Sequence, residues 1–327
     1  MISGPVFDTF TDAYRAVLAH VRHHPQYTTA TRGKSAIEAT NVSFTIADPI
    51  PRTPYLAARR ANIVFNHAEV LWYLSGRDDA ATMVYYAPTL ARLSSDGKTL
   101  TGTAYGPRLF APSTVDGISQ FERALRLVRN DPDTKRAAML LMTPEELIDQ
   151  DNPDMACTLG LQFLLRGGRL NMAAFMRGND AVIGLLGDTF AFTFIQEFAA
   201  RLLGVEMGSY SHHVGSMHIN LLDLARVDQI LAEPPSTGFP AEPMPTSTLW
   251  ADIRAVLAWE ERLRHNLGEF TGGQDDLHPY WRRIVALFEV YRQIAHQPDR
   301  QVTPDSLELL YPGHRWLVEL RWPNRMP

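Results

Sequence analysis

The chain has 327 residues, 45% of them hydrophobic and 20% charged, with a formal net charge of -5. It is long enough to bury a sizeable core and too ordinary in composition for disorder, and its acidic balance excludes broad attraction to nucleic acid or an anionic membrane. No apolar run reaches membrane-spanning length and the start, MISGPVFDTFTDAYRAV, lacks the pattern of a secretory signal, which points to the cytoplasm. The single cysteine, Cys157, rules out an intrachain disulfide framework and a Cys-pair zinc site, so its thiol is either packing or chemistry.

In chain order, Asp8 to His23 has apolar residues at helical spacing behind an acidic cap candidate, and Asn62 to Leu74 repeats the pattern until Ser75 and Gly76. Between them, Ser43 to Ile46 reads as a short strand leading into the proline-punctuated IADPIPRTP. Residues 117 to 130 form an amphipathic helix closed by Asn130-Asp131-Pro132-Asp133, after which AAMLLM has the density of a buried strand. LGLQFLL and LNMAAFM flank Gly167-Gly168 as a hairpin, with Cys157 just before it. Thr189 to Leu203 predicts a buried helix under the sheet, capped by Asp188 or Thr189 and ended by Gly204. A proline-rich loop, AEPPSTGFPAEPMPTS, precedes two further helices at about 248 to 266 and 277 to 296. No internal repeat or second domain stands out, so 1–327 reads as one unit.

Cys157 is followed by Arg177, Asp180, Asp188, His212, His213 and His218, several within apolar surroundings where an unpaired charge is costly. Such a density of polar groups implies a ligand or a polar network. Lys135-Arg136, Arg177 and Arg32 together can supply the cations for one phosphate, although any one of them alone reads as solvated surface. Arg32-Gly33-Lys34-Ser35 lacks the earlier glycine of a phosphate-binding P-loop, and the histidines lack a metallohydrolase spacing, so no metal is expected.

These residues resemble the thymidylate synthase family from about residue 60 to 220. HAEVLWYLSG at 67 to 76 is similar to the family helix that carries a catalytic glutamate, here Glu69, and TAYGPRL at 103 to 109 to its tyrosine-glycine segment, here Tyr105. DPDTKR at 131 to 136 resembles the turn whose basic residues, here Lys135 and Arg136, reach the partner subunit's nucleotide phosphate. Cys157 falls at the nucleophile. RGNDAVIGLLGD at 177 to 188 resembles the segment that reads phosphate, folate and base, and GSYSHHVGSMHIN at 208 to 220 the one whose histidine, here His218, touches the sugar. The resemblance implies an α+β fold with a mixed β-sheet flanked by helices and a sheet-to-sheet homodimer. It also implies 5,10-methylenetetrahydrofolate as co-substrate, with Asp180, Ile183 and Gly184 toward the folate, and Arg32, Arg177 and the partner's basic pair on phosphate.

The departures carry the specificity. Methylating members have asparagine where this chain has Asp188, and a protonated carboxyl offers cytosine the acceptor for N4–H and the donor for N3 that asparagine offers uracil in reverse. The same change occurs in members that hydroxymethylate CMP or dCMP, including that of nucleoside antibiotic biosynthesis. PTLARL around Leu90 and Leu93 lacks the tryptophans that wall off folate, which admits water and so a hydroxymethyl product. Asn220 replaces a tyrosine and makes room for a ribose 2′-hydroxyl, favouring CMP over dCMP. Thr158, Met176 and Gly178 also depart from the family, and the helices beyond about 221 do not resemble its closing tail. The resulting expectation is a folate-dependent CMP hydroxymethyltransferase. Its alternatives are a dCMP hydroxymethylase, a thymidylate synthase on dUMP, and a silent nucleotide-binding regulator.

Overall fold

The computed structural model describes residues 4–31, 33–149, 151–234, 238–273 and 276–327. Its strands are β1 (Val6–Phe7), β2 (Tyr27–Thr31), β3 (Lys34–Ile46), β4 (Ala138–Leu140), β5 (Thr158–Arg166), β6 (Arg169–Asp180) and β7 (Glu206–Asn220). They form one sheet in the order β1-β3-β7-β6-β5-β4, with β2 paired to β3. The pairings β1–β3 and β6–β7 are parallel and the others antiparallel, so the sheet is mixed, as expected. Gly167 and Gly168 join β5 to β6 at φ +57° and +76°, values that suit glycine and make the tight turn possible.

Helices form where apolar spacing and a cap coincide. In α1 (Phe10–His23) the cap is Thr9, which accepts from the Asp12 amide at 3.3 Å, and not the acidic residue before it. Asn62 accepts from the Phe65 amide and opens α2 (Ile63–Leu74); Asp79 opens α3 (Ala80–Tyr86). The short α4 (Tyr105–Phe110) precedes α5 (Gln120–Asn130), where Ser119 and Glu122 make a reciprocal capping box. The long apolar α6 (Gly184–Leu203) packs on β6 and β7 and stops at Gly204, whose φ is +69°. The chain continues through α7 (Leu224–Ala232), α8 (Trp250–Arg264), α9 (Pro279–His296), α10 (Pro304–Glu308) and α11 (Pro312–Arg321). α8 and α9 pack on each other and both touch α2. No helix among the described residues is long and apolar enough to cross a membrane.

Three further sequence expectations change. β3 runs from Lys34, well before Ser43, because its polar alternation suits a sheet whose second face is open. β4 is not buried on both faces: Met139 is enclosed while Leu140 is 68% exposed. The helix carrying Asp188 begins at Gly184, so neither Asp188 nor Thr189 is its cap. Asp180 already accepts from the Val182 and Ile183 amides at 2.8 and 2.9 Å, which turns the chain into the helix a full turn earlier.

The sheet has two unlike faces. Met139, Leu161, Ala174, His212 and Phe44 lie side by side across five strands on the face covered by helices. The neighbouring row, Leu140, Gly160, Phe175 and His213, lies on the other face, where Phe175 is 40% exposed and stacks on His213 at 5.0 Å.

Candidate active site

Cys157 sits immediately before β5, on a segment fixed by two acidic residues. Asp154 is buried and accepts from the Gly102 and Thr103 amides, both at 2.9 Å, tying this segment to the one that leads into α4. Glu146 accepts from the Ala156 amide at 3.0 Å and pairs with Arg108 of α4 at 2.9 Å. Neither brace was anticipated, because short acidic loops read locally as turns. On the other side, the Arg177 amide donates to the Cys157 carbonyl at 2.9 Å, and Arg177 Nη2 stands 3.7 Å from Cys157 Sγ. A guanidinium beside the sulfur favours thiolate over thiol.

The next residue, Thr158, is fully buried and donates to the Tyr105 hydroxyl at 2.9 Å. That bond gives a structural reason for threonine at this position. Burial pushes the Tyr105 hydroxyl well above its usual titration range, and the charges of Asp188 and Cys157 push it the same way. The Tyr105 ring lies 5.2 Å from Tyr73 and 6.0 Å from Phe192, one turn beyond Asp188 on α6. Tyr105 therefore lies within the electrostatic reach of both the thiol and the carboxyl.

Glu69 projects from α2 toward α6, where a side chain at Gly187 would meet its Oε2 at 3.5 Å. Both Glu69 and Asp188 keep some exposure but are otherwise enclosed. Burial raises Glu69 to about 8, reinforced by the nearby Asp188 charge and opposed by a hydrogen bond from Tyr73. Burial raises Asp188 to about 7, opposed by a hydrogen bond from Asn179. Glu69 therefore holds its proton at neutral pH, while Asp188 is near its midpoint there, and each gives its proton up as pH rises through its value. Carboxyls poised in this way are suited to proton transfer and to donating a hydrogen bond.

The corner between β6 and α6 gathers the remaining expected residues. Asp180 pairs with His218 across β6 and β7, and its Oδ2 accepts from Asn220 Nδ2 at 2.7 Å. Its two oxygens thus already serve the turn and Asn220, a local role the sequence did not suggest. Ile183 is 55% exposed beside it and Gly184 starts the helix, leaving an apolar edge next to a carboxylate, which fits a flat heterocycle with N–H donors. Lys135 and Arg136 are exposed on the loop between α5 and β4. Arg166 braces that loop by donating to the carbonyls of Pro132, Asp133 and Thr134. Among the described residues no hydrogen bond or ion pair links the Lys135 or Arg136 side chains to the Cys157 cluster. Arg32 lies outside the described residues.

A cavity of ≈ 440 Å³ lies elsewhere, beyond α2 and α6, between Arg52, His67, Phe190, Tyr280 and His314. It contains none of the candidate-site residues above, so chemistry and not cavity size locates the candidate site.

The thymidylate synthase family model matches residues 8–250, most of the chain. The chain belongs to the thymidylate synthase family. Membership bears out the expected α+β fold and the one-carbon transferase class that the sequence resemblance implied. Three relatives bear the name deoxyuridylate hydroxymethyltransferase. That of Bacillus phage SP01 is 29% identical over 297 residues, covering 84% of this chain and 76% of the relative. That of Pseudomonas phage M6 is 29% identical over 269 residues, 79% and 73% of the two chains. That of Delftia phage PhiW-14 is 28% identical over 218 residues, 63% and 59%.

Proposed function

We propose that this family member is a pyrimidine nucleotide C5 hydroxymethyltransferase that converts CMP to 5-hydroxymethyl-CMP with 5,10-methylenetetrahydrofolate. The observation that carries the choice of base is Asp188, a carboxyl raised to about 7 next to the Cys157, Tyr105 and Glu69 cluster. Its acid form offers cytosine a donor to N3 and an acceptor for the N4 amino group. Folate, when bound, supplies a one-carbon unit at the oxidation level of formaldehyde. Cys157, beside the Arg177 guanidinium, adds to C6 and makes C5 nucleophilic; Asp188 stabilises the charge that develops at N3. Glu69, with Tyr105 and Tyr73, holds and moves protons around C5. C5 bonds to the one-carbon unit, the C5 proton is lost as tetrahydrofolate leaves, water adds to the resulting exocyclic methylene, and Cys157 departs from C6.

Two features support hydroxymethyl over methyl. The relatives carry that activity in their names, and the helical turn Pro88–Leu93 has no aromatic side chain, with Leu90 and Leu93 packed partly against the core, so that turn offers no bulky wall against water. Asn220, whose amide donates to Asp180, keeps its carbonyl oxygen as acceptor for a ribose 2′-hydroxyl, which supports CMP over dCMP. The relatives' names favour a second reading, dUMP as substrate. An ionised Asp188 accepts from uracil N3–H but repels O4, and its acid form serves uracil only with the proton on the oxygen opposite to the one that serves cytosine, so the base is decided by which oxygen holds the proton. Incubation with CMP, dCMP and dUMP in turn, followed by mass analysis, separates the readings: CMP gaining CH2O supports the proposal, whereas product from dUMP alone overturns the reading of Asp188.

The acting unit in this reading is a cytoplasmic homodimer in which all of 1–327 serves catalysis. Its support is the apolar row on the open face of the sheet, and the position of Lys135 and Arg136 apart from their own chain's thiol. Mixing Cys157→Ala subunits with Arg136→Ala subunits should restore about a quarter of wild-type activity per dimer site population, from one intact site in each hybrid. Activity no greater than that of either variant alone would count against shared sites.

A further inference from the structure

The cavity beyond α2 and α6 has a polar end whose charge does not balance. Arg52, which lines it, is 6% exposed; its Nε donates to Thr193 Oγ1 at 3.3 Å, and its Nη2 pairs with Glu197, which is fully buried. The same carboxylate accepts from Arg201 Nη2 at 3.1 Å and from the Met244 amide at 2.7 Å. Two guanidinium groups thus share one carboxylate, and the enclosed cluster keeps a surplus positive charge, which is costly without a counter-ion. The other charges of the lining cancel: Glu242 pairs with Arg283, and Asp12 stands one turn from Arg15 on α1. A guanidinium carries five N–H groups. Thr193, Glu197 and the neighbouring Tyr280 hydroxyl engage only part of that set on Arg52, so donors remain for an anion.

Beside Arg52 stands an acceptor of fixed sense. His67 Nδ1 lies 3.0 Å from the Ile63 carbonyl, and a carbonyl only accepts, so Nδ1 holds the ring proton and Nε2 is bare. Burial lowers His67 to about 4, which keeps the ring neutral near pH 7. Among the described residues no hydrogen bond reaches Nε2. The Arg52 guanidinium carbon lies 5.6 Å from the centre of the Phe194 ring and the His67 ring 6.4 Å from it, so the two polar groups share one end of the cavity. The surroundings are aromatic: Phe190 meets His67 edge to face at 4.9 Å, and Tyr55 meets Phe239 at 4.8 Å. A volume of ≈ 440 Å³ suits a small molecule.

We propose that this cavity binds a flat heteroaromatic acid whose carboxylate meets Arg52 and whose ring N–H, next to that carboxylate, donates to His67 Nε2. The carboxylate balances the surplus charge, the N–H satisfies the imidazole, and the ring packs between aromatic side chains. A phosphate ester brings a charge of about −1.5 to −2, more than the single surplus on the protein. The cavity is separate from the thiol. His67 lies two residues before Glu69 on α2, and Phe190 two after Asp188 on α6. Two steps along a helix turn by about 200°, so the cavity and the two carboxyls occupy opposite sides of these helices. Occupancy of the cavity is therefore measurable whichever base Asp188 reads.

The test is calorimetric titration of the full chain with indole-2-carboxylate, beside benzofuran-2-carboxylate, which lacks the N–H, and indole, which lacks the carboxylate. Indole-2-carboxylate should bind, benzofuran-2-carboxylate roughly 10-fold more weakly, and indole more weakly still. His67→Phe keeps a flat ring but loses the acceptor; it should weaken indole-2-carboxylate roughly 10-fold and leave benzofuran-2-carboxylate unchanged. Arg52→Met should weaken both acids by at least about 10-fold, with Glu197 still paired to Arg201. If Arg52→Met does not fold, His67→Phe and the analogues decide. Saturating CMP or dUMP should leave the titration unchanged; displacement by either would place the probe in the candidate active site and overturn the proposal. Absence of binding to the wild type overturns it too, as does a His67→Phe protein that still discriminates between the two acids as the wild type does.

Discussion

Cys157→Ala is expected to abolish release of the C5 hydrogen, with a fall of at least about 10⁴-fold in kcat, while nucleotide binding changes little. C5 of a pyrimidine is a poor nucleophile until a group adds at C6, and Cys157 is the chain's only thiol. Two features of its surroundings match that role: Arg177 Nη2 at 3.7 Å from the sulfur, and a segment held by Asp154 and Glu146 so that the thiol cannot drift. Removing one sulfur from a half-buried position leaves both braces in place, so the variant should melt close to the wild type. Isotope release from the C5 position, measured beside a binding isotherm for the nucleotide, checks both parts. Substantial release by the alanine variant would contradict the assignment of the nucleophile.

Asp188→Asn should exchange one base for the other. The amide offers N–H where the acid offers an acceptor for N4–H, and C=O where the acid offers its proton, so cytosine meets two repulsions and uracil two hydrogen bonds. Sites built on such contacts discriminate strongly, and a loss of about 10³-fold or more in kcat/KM for CMP, with a gain for a uracil nucleotide, is the expected scale. The pH profile gives an independent check. Because burial raises Asp188 to about 7, activity that needs its proton is lost as pH rises through that value, and the limb due to Asp188 should vanish in the variant. Stability follows the same sign. A carboxyl raised in the folded state stabilises it fully below the unfolded carboxyl value, near 4, and that contribution is lost as pH rises toward 7. The melting temperature of Asp188→Asn relative to wild type should therefore climb between those two pH values. A wild-type alkaline limb that survives the substitution unchanged would assign it to Glu69 instead.

How much of this was legible in the sequence depended on how local each signal was. α2 and α5 were plain because Asn62 and Ser119 cap apolar spacings of the right period, and the Gly167-Gly168 turn between two β-rich runs announced β5 and β6. The start of α6 was misplaced because Asp188 before an apolar run has the look of a cap. The turn that Asp180 makes with Val182 and Ile183 competes with that signal and starts the helix at Gly184. Cys157, Arg177, Tyr105, Glu69 and Asp188 were marked by resemblance, and they do lie near one another. The role of Asn220 toward Asp180 and the bond from Thr158 to Tyr105 were not legible, since each depends on which strand or helix lies alongside. The same holds for Asn179. It sits in RGND between two residues with evident charges, and its approach to His212 comes only from the parallel pairing of β6 and β7.

The most direct test is a competition between 5-tritiated CMP and 5-tritiated dUMP, with 5,10-methylenetetrahydrofolate and the wild-type protein, reading tritium released to water from each. Faster release from CMP, lost in Cys157→Ala, is the result expected of a thiol-dependent cytosine hydroxymethyltransferase. Preferential release from dUMP would contradict the assignment of Asp188, and release from neither would contradict the choice of CMP as substrate.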